Sequence, residues 1–225
     1  MKIQRVRIDP SFSATLALLE RLGRGVDGIQ RRWLQVEGPS GVGKSSLVRA
    51  GLIPAVRAGW AEETVSPAAW TVIVLRPGGQ PLEAMAAALE REFGKREVPA
   101  TIFQRLKALR RSDGEDADLR YLLKVGFAQG TRLLLVIDQF EELFILTSDP
   151  EALARIDALL ANAVEDTDGP LFLVTTIRSV FLLRIGELPR LQGLLNARAG
   201  RCDLQPLRAW PVTRGRPHTG AARRP

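Results

Sequence analysis

Five short stretches along the chain are candidate β-strands, and the more apolar of them are expected to be buried. They lie at residues 33–37, 71–75, 132–137, 171–177 and 201–204. The runs at 132–137 and 171–177 show no alternation of polar and apolar positions, which is typical of strands covered on both faces of a parallel sheet. Helical periodicity separates the strands. The pattern therefore predicts an α/β fold with a mainly parallel central sheet and right-handed crossovers.

Apolar residues at helical spacing predict the connecting elements, and turn residues mark where they begin. Pro54 is expected to kink or end the helix that follows the first strand, because proline lacks the N–H of a helical hydrogen bond. The predicted helices begin near Ser13, Lys44, Pro81, Thr101, Leu119 and Asp149, and Ser13 and Thr101 are the expected caps of their helices.

The glycine-rich stretch after the first strand is the strongest chemical signal. Residues 38–45 match the phosphate-binding pattern G-x-x-x-x-G-K-[ST] between a predicted strand and a predicted helix. Glycines let backbone N–H groups approach phosphate oxygens, Lys44 would bridge the β- and γ-phosphates, and Ser45 would offer a hydroxyl to Mg²⁺. The candidate nucleotide-binding residues are Gly38, Pro39, Ser40, Gly41, Val42, Gly43, Lys44, Ser45 and Ser46.

A second motif, L-L-L-V-I-D-Q-F-E-E-L-F, places acidic residues at the end of a buried strand. Asp138 is positioned to hold Mg²⁺ with Ser45, so these two residues are the predicted metal ligands. Glu141 and Glu142 are the candidates for orienting the attacking water, with Glu141 preferred. Alternatively, both glutamates only favour the N-terminus of a short helix over residues 139–146.

Arg178 follows the strand at 171–177, so it belongs to the same edge of the predicted sheet. Ligands of parallel sheets bind beyond the carboxyl ends of the strands, where Gly38, Asp138 and Arg178 would converge. A guanidinium there would contact the γ-phosphate. It would equally pair with Asp138 or Glu142 before nucleotide binds.

Composition limits the remaining classes of protein. The single cysteine, Cys202, excludes an internal disulfide framework, and no apolar run approaches the roughly 20 residues that cross a bilayer. A soluble cytoplasmic protein without membrane contact is therefore expected. Five arginines and no acid within residues 205–225 account for five of the net +7 charges. A nucleic-acid partner for this basic tail is a less favoured alternative.

Taken together, the motifs G-P-S-G-V-G-K-S-S-L-V-R-A-G-L, V-L-R-P-G-G, D-Q-F-E-E-L-F and T-T-I-R-S-V-F strongly resemble the STAND class of P-loop NTPases. The resemblance is to the bacterial novel STAND branch, which is often fused to WD-type repeats. It implies a three-layer ASCE-type sandwich, an ATP-driven signalling switch and catalytic roles for Glu141, Glu142 and Arg178. It also implies self-association or a protein effector.

Some positions depart from the family pattern. The family usually has an aspartate where this chain has Val180, and its adenine-contacting element has only a weak candidate in Gly23 and Arg24. The expected organisation is an N-terminal helix and linker (1–32), an NTPase core (33–207) and a disordered Arg/Pro-rich tail (208–225).

The tail stands where the family continues into a lid and sensor repeats. The chain is therefore expected to be truncated after its core, and the tail to be a frameshift or truncation product. Resequencing the gene and measuring the intact mass would test this.

The sequence thus predicts a Mg²⁺-dependent, slowly hydrolysing ATPase switch module that binds ATP and ADP. Two alternatives remain: a non-catalytic, nucleotide-dependent interaction module, and a nucleic-acid-handling P-loop ATPase. A small-molecule kinase is less favoured, since the acidic pair after Asp138 suits water activation better.

Overall fold

A computed structural model describes residues 14, 15, 17, 18, 20, 22, 31–59, 69–111, 118–197 and 199–205. Its centre is a five-stranded sheet in the order β2-β3-β4-β1-β5, in which every neighbouring pair is parallel. The strands are Trp33–Gly38 (β1), Ala69–Leu75 (β2), Thr131–Ile137 (β3), Leu171–Arg178 (β4) and Gly200–Asp203 (β5). This confirms the predicted α/β class, with a sheet that is entirely parallel.

Helices cover both faces of the sheet. The first, α1, follows the glycine-rich loop and has three consecutive parts: Lys44–Ser46, a π-helical turn Leu47–Leu52, and Ile53–Arg57. The other helices are Pro81–Phe93 (α2), Ala100–Leu109 (α3), Leu119–Gly126 (α4), Glu142–Ile145 (α5), Pro150–Glu165 (α6) and Pro189–Ala197 (α7), with a 3-10 helix at Ser179–Glu187. Within the described residues, no helix combines the length and the apolar character that a bilayer span requires.

Alternating side chains of the strands belong to two hydrophobic clusters, one on each face of the sheet. Leu34 and Val36 pack with α1 and with buried Leu18 and Leu22 of the N-terminal segment, where residues 14, 15, 17, 18 and 20 are helical and residue 22 is in a turn. Trp33 and its same-face neighbours pack with α2, α3, α4, α6 and α7. Since successive strand residues point to opposite faces, one continuous apolar run supplies both layers of this three-layer arrangement.

Three local expectations need correction. Of the two outcomes expected at Pro54, the helix does not end there but continues to Arg57; a wider π-helical turn before Pro54 avoids the clash of the proline ring with the preceding carbonyl. Thr101 lies inside α3, whose N-cap is Pro99. The short helix after Asp138 covers only Glu142–Ile145, because the preceding four residues form a turn.

The sequence pattern did not predict the helices between β4 and β5. The N-terminus of α7 is capped from another element: the Arg190 and Leu191 N–H groups donate to the two carboxylate oxygens of Asp157 on α6, at 3.0 and 2.8 Å. A cap supplied from more than thirty residues away leaves no local signal in the sequence.

Candidate functional site

The glycine-rich loop joins β1 to α1 and uses backbone conformations that favour glycine. Gly41 and Gly43 have φ values of 76° and 96°. Gly38 is restricted by space as well, since a Cβ atom there would lie 2.6 Å from the Leu204 carbonyl oxygen. The loop tip at Pro39–Gly41 is exposed, and Ser46 is an exposed residue of α1.

Lys44, the first residue of α1, folds back over this loop. Its Nζ donates to the carbonyl oxygens of Gly38 and Pro39, at 2.8 and 2.7 Å, and the residue is buried. Burial lowers the pKa of Lys44, whereas the nearby Glu141 and Asp138 carboxylates act in the opposite direction. The Lys44 side chain is therefore held at the loop by backbone carbonyls, which are neutral partners.

Asp138 follows β3 directly and is almost completely buried, with 1% of its surface exposed. Its Oδ1 accepts hydrogen bonds from Ser45 Oγ at 2.6 Å and Thr176 Oγ1 at 2.7 Å. Its Oδ2 accepts from Arg49 Nε and Nη2, at 3.2 and 3.0 Å. Burial by itself would raise the pKa of Asp138, but the hydrogen bonds from Ser45, Thr176 and Arg49 outweigh it and lower that pKa.

Glu141 is also buried, and Arg178 binds both of its carboxylate oxygens. The Arg178 Nε donates to Oε1 at 2.8 Å, and the Arg178 backbone N–H donates to Oε2 at 3.3 Å. Arg178 thus pairs with a carboxylate in this structure, as one sequence alternative proposed, but the carboxylate belongs to Glu141 rather than to Asp138 or Glu142.

Glu142 points to a different loop from Glu141. Its Oε2 accepts the Gly78 N–H at 3.0 Å, which ties the start of α5 to the turn after β2. The two adjacent glutamates therefore occupy different surroundings: one pairs with an arginine beside β4, the other holds a backbone amide.

Strand order explains why these residues meet. Because β4 lies between β1 and β3, Gly38 is in register with Arg178 and Ile137 with Thr175. The carboxyl ends of the three strands therefore bring the loop, the acidic motif and Arg178 to one edge of the sheet. Val180, by contrast, is 81% exposed on the 3-10 helix.

Sequence reasoning missed three residues around Asp138. Thr176 donates to Asp138 and also accepts the Gln139 N–H at 2.9 Å, while Arg49 and Arg76 approach the other carboxylate oxygen. One signal was available for Arg49, since it lies four residues after Ser45 and so on the same side of the helix. The candidate adenine-contacting residues 23 and 24 and the tail 208–225 lie outside the described residues.

The donor atoms around Asp138 suit a hard cation. A carboxylate and hydroxyl oxygens are ligands that Mg²⁺ accepts. Among the residues that the structure describes, no three His, Cys, Asp or Glu side chains form a cluster able to hold a metal ion. Mg²⁺ usually combines one or two protein ligands with waters and phosphate oxygens. The residues present therefore fit magnesium that arrives together with a phosphorylated ligand.

Comparisons with known structures identify the fold. The ORC2 protein of Aeropyrum pernix matches in its ADPNP-ADP complexes with a TM-score of 0.54 and in its ADP form with 0.55. Both share 16% identity with this chain and cover 89% of it. This chain spans 48% of the ORC2 chain, about half its length. At this identity the likeness concerns the fold alone.

Comparison with protein families gives a more specific result. None of the curated proteins matches this sequence. The family model described as Novel STAND NTPase 1 matches residues 13–212, which is most of the chain and includes the loop, the acidic motif and Arg178. The chain therefore belongs to the Novel STAND NTPase 1 family.

Proposed function

We propose that the chain binds ATP with Mg²⁺ at the carboxyl edge of its sheet and hydrolyses it slowly, as a STAND-type signalling switch module. One observation carries the proposal. The 2.6 Å hydrogen bond between Ser45 and Asp138 joins two motifs that lie 93 residues apart, and it does so beside Lys44. Family membership and the ADP- and ADPNP-bound ORC2 structures of similar fold support the same assignment.

In this proposal, bound ATP replaces the hydrogen-bond partners that Lys44 has within the protein. Amides of the loop would contact phosphate oxygens, and Lys44 would leave the carbonyls of Gly38 and Pro39 for the β- and γ-phosphates. Ser45 and Asp138 would hold Mg²⁺. When bound, the ion supplies positive charge that neutralises phosphate oxygens.

Hydrolysis requires a group that orients water near the γ-phosphate. Glu141 is the proposed group, because it is buried at the edge of the sheet and its carboxylate lies beside Arg178. Arg178 would release Glu141 and turn toward the γ-phosphate, where a guanidinium matches phosphate oxygens. The rate of turnover would then depend on breaking the Arg178–Glu141 ion pair.

The same ion pair favours a second candidate function, a non-catalytic module that binds nucleotide and presents a surface to a partner. While Arg178 contacts both oxygens of Glu141, that carboxylate is not available to accept a proton from water. Val180, which replaces the family's usual aspartate, points to the same candidate. Nucleotide hydrolysis above the background of an inactive variant would exclude it.

The deciding experiment compares Lys44→Ala with the wild type in ATP binding and ATP hydrolysis. Loss of the charged hydrogen bonds to phosphate is expected to weaken ATP affinity about tenfold or more. Lys107→Ala is the matched control, because Lys107 is an exposed lysine of α3 away from the loop. Binding can be measured by equilibrium dialysis with labelled ATP.

The outcomes separate the candidates. A folded wild type without ATP binding would refute the proposed function, as would equal affinity in Lys44→Ala. Binding without hydrolysis above the Lys44→Ala background would favour the interaction module.

Two wider features, the cellular location and the protein partners, belong to the proposal as well. We infer a cytoplasmic protein that self-associates or contacts a protein effector when nucleotide is bound. Nucleic-acid binding by the basic tail remains the less favoured alternative, and it would be recognised by a steep dependence on salt that disappears when residues 208–225 are deleted.

A further inference from the structure

Two arginines from different elements approach one oxygen of Asp138. Arg49 of the π-helical turn donates to Oδ2 from Nε and Nη2, and the Nε of Arg76, the first residue after β2, lies 3.9 Å from the same atom. We propose that Arg49, assisted by Arg76, is a positioning residue that occupies the magnesium carboxylate before the ion arrives and thereby sets the Mg²⁺ concentration needed for nucleotide binding. This inference rests on the proposed function.

The two oxygens of Asp138 have different kinds of partner. Oδ1 receives Ser45 and Thr176, and Thr176 is itself buried on β4 and also bonded to the Gln139 N–H. Oδ2 receives the arginines, whose side chains are 48% and 54% exposed. An exposed guanidinium is readily hydrated when it leaves, whereas a buried threonine has no such alternative partner. The exchangeable side of the carboxylate is therefore Oδ2.

The local backbone places Arg49 at this oxygen. Arg49 lies in the π-helical turn, in which the Ile53 N–H donates to the Val48 carbonyl, five residues earlier. Such turns occur frequently at functional sites, and here the turn also accommodates Pro54. The π-helical turn comes directly after Lys44–Ser46 along the chain. Ser45 and Arg49 therefore contact the same carboxylate from one helix.

Arg49 and Mg²⁺ would compete for the Asp138 carboxylate, because both are cations that bind it. A buried carboxylate without a cation is costly, and Arg49 removes that cost while no metal is bound. A magnesium ion that uses Asp138 has to displace the guanidinium or share the carboxylate with it. Removing Arg49 should therefore lower the Mg²⁺ concentration that nucleotide binding requires. In the absence of magnesium, the unpaired carboxylate would repel phosphate, so nucleotide binding should become weaker.

The test measures binding of a fluorescent ATP analogue while Mg²⁺ is titrated, and again in EDTA. In Arg49→Gln the Mg²⁺ concentration for half-maximal binding should fall about three- to fivefold, the size expected for a half-exposed ion pair. Affinity in EDTA should fall at the same time. Arg76→Gln should shift the Mg²⁺ midpoint less, in the same direction, because its Nε lies 3.9 Å from the carboxylate.

Arg57→Gln is the control, because Arg57 is an exposed arginine at the far end of the same helix. Arg49→Lys keeps the charge but loses the two-nitrogen contact, so it should shift the midpoint in the same direction by a smaller amount. This variant decides the question if Arg49→Gln does not fold.

The failures are distinguishable. If the wild type binds the analogue but the Mg²⁺ midpoint of the Arg49 variants is unchanged or raised, the inference is overturned and the proposed function stands. An equal shift in Arg57→Gln overturns the inference as well. If the folded wild type does not bind the analogue at all, the proposed function and this inference are both overturned.

Discussion

Buried carboxylates occur in two regions of the molecule that differ in how the charge is held. At the carboxyl edge of the sheet, Asp138 and Glu141 are paired with arginine side chains that are 48% and 44% exposed. Between α6 and α7, Asp157 is equally buried, but its partners are two backbone N–H groups. Backbone partners fixed in a helix cannot leave, whereas half-exposed arginines can. The exposure of the partner, rather than the depth of burial, therefore separates Asp138 and Glu141 from Asp157. Glu37, at the end of β1, is also buried and belongs with the first pair, because its partner Arg201 is half-exposed.

The largest effect is expected for the proposed water-orienting residue. Glu141→Gln should leave ATP affinity nearly unchanged and reduce turnover about a hundredfold or more, because a neutral amide cannot accept the proton. Single-turnover hydrolysis of labelled ATP measures this. Glu142→Gln is the adjacent control and should change turnover far less, since Glu142 holds the Gly78 N–H. Unaltered turnover in Glu141→Gln would transfer the role to Glu142.

On the scaffold side of the comparison, Asp157→Ala should destabilise the fold by about 2–3 kcal/mol. The substitution leaves the N–H groups of Arg190 and Leu191 without their carboxylate partners at the start of α7. Urea unfolding measures the change, with Glu97→Ala as a control because that carboxylate is exposed. A stability loss no larger than that of the control would mean that Asp157 is not a structural cap.

In contrast to Asp157→Ala, Asp138→Asn should weaken ligand binding more than it destabilises the fold. The Mg²⁺-dependent part of ATP affinity should fall about tenfold, which corresponds to about 1.4 kcal/mol, while stability changes by less than about 1 kcal/mol. Stability is largely preserved because the asparagine Oδ1 still accepts from Ser45 and Thr176. The asparagine Nδ2 cannot accept from Arg49, but that half-exposed guanidinium can turn to water. Parallel binding and unfolding measurements check this. A variant that mainly unfolds would place Asp138 with the scaffold carboxylates.

The smallest effect concerns backbone strain beside the site. Among the described residues, Gln139 is the one non-glycine with a positive φ, at 60°. Gln139→Gly should raise stability by about 0.5–1 kcal/mol, because glycine adopts this conformation without steric cost. Thermal unfolding measures the gain. Lower stability would show that the Gln139 side chain contributes more than its backbone costs.

How far the sequence predicts the molecule depends on whether the signal is local. The strands, α2 and α6 follow from apolar runs and from turn residues such as Pro81 and Asp149, which act within a few residues. Thr101 was a wrong cap because the helix already begins at Ala100, after Pro99, which is two residues earlier than the pattern suggested. The helix α7 was not predicted, since its cap comes from Asp157 on another helix.

The residues of the candidate site were identified for a different reason. The spacing within the glycine-rich loop and the acidic motif is a property of short continuous segments, so it could be read without the fold. The assignment of partners could not. Whether Arg178 would meet Asp138, Glu141 or Glu142 depends on side-chain positions across two strands that neighbour each other only in the folded sheet.

The amino-acid sequence by itself determined the α/β class, the parallel sheet and the strand ends at which Gly38, Asp138 and Arg178 lie, because hydrophobic periodicity and glycine spacing are local properties. Only the tertiary structure decided that Arg49, Arg76 and Thr176 surround Asp138 and that Arg178 holds Glu141. These contacts join α1, the residue after β2, and β4 to the acidic motif after β3 across long separations in sequence, and strand order together with side-chain packing selects them.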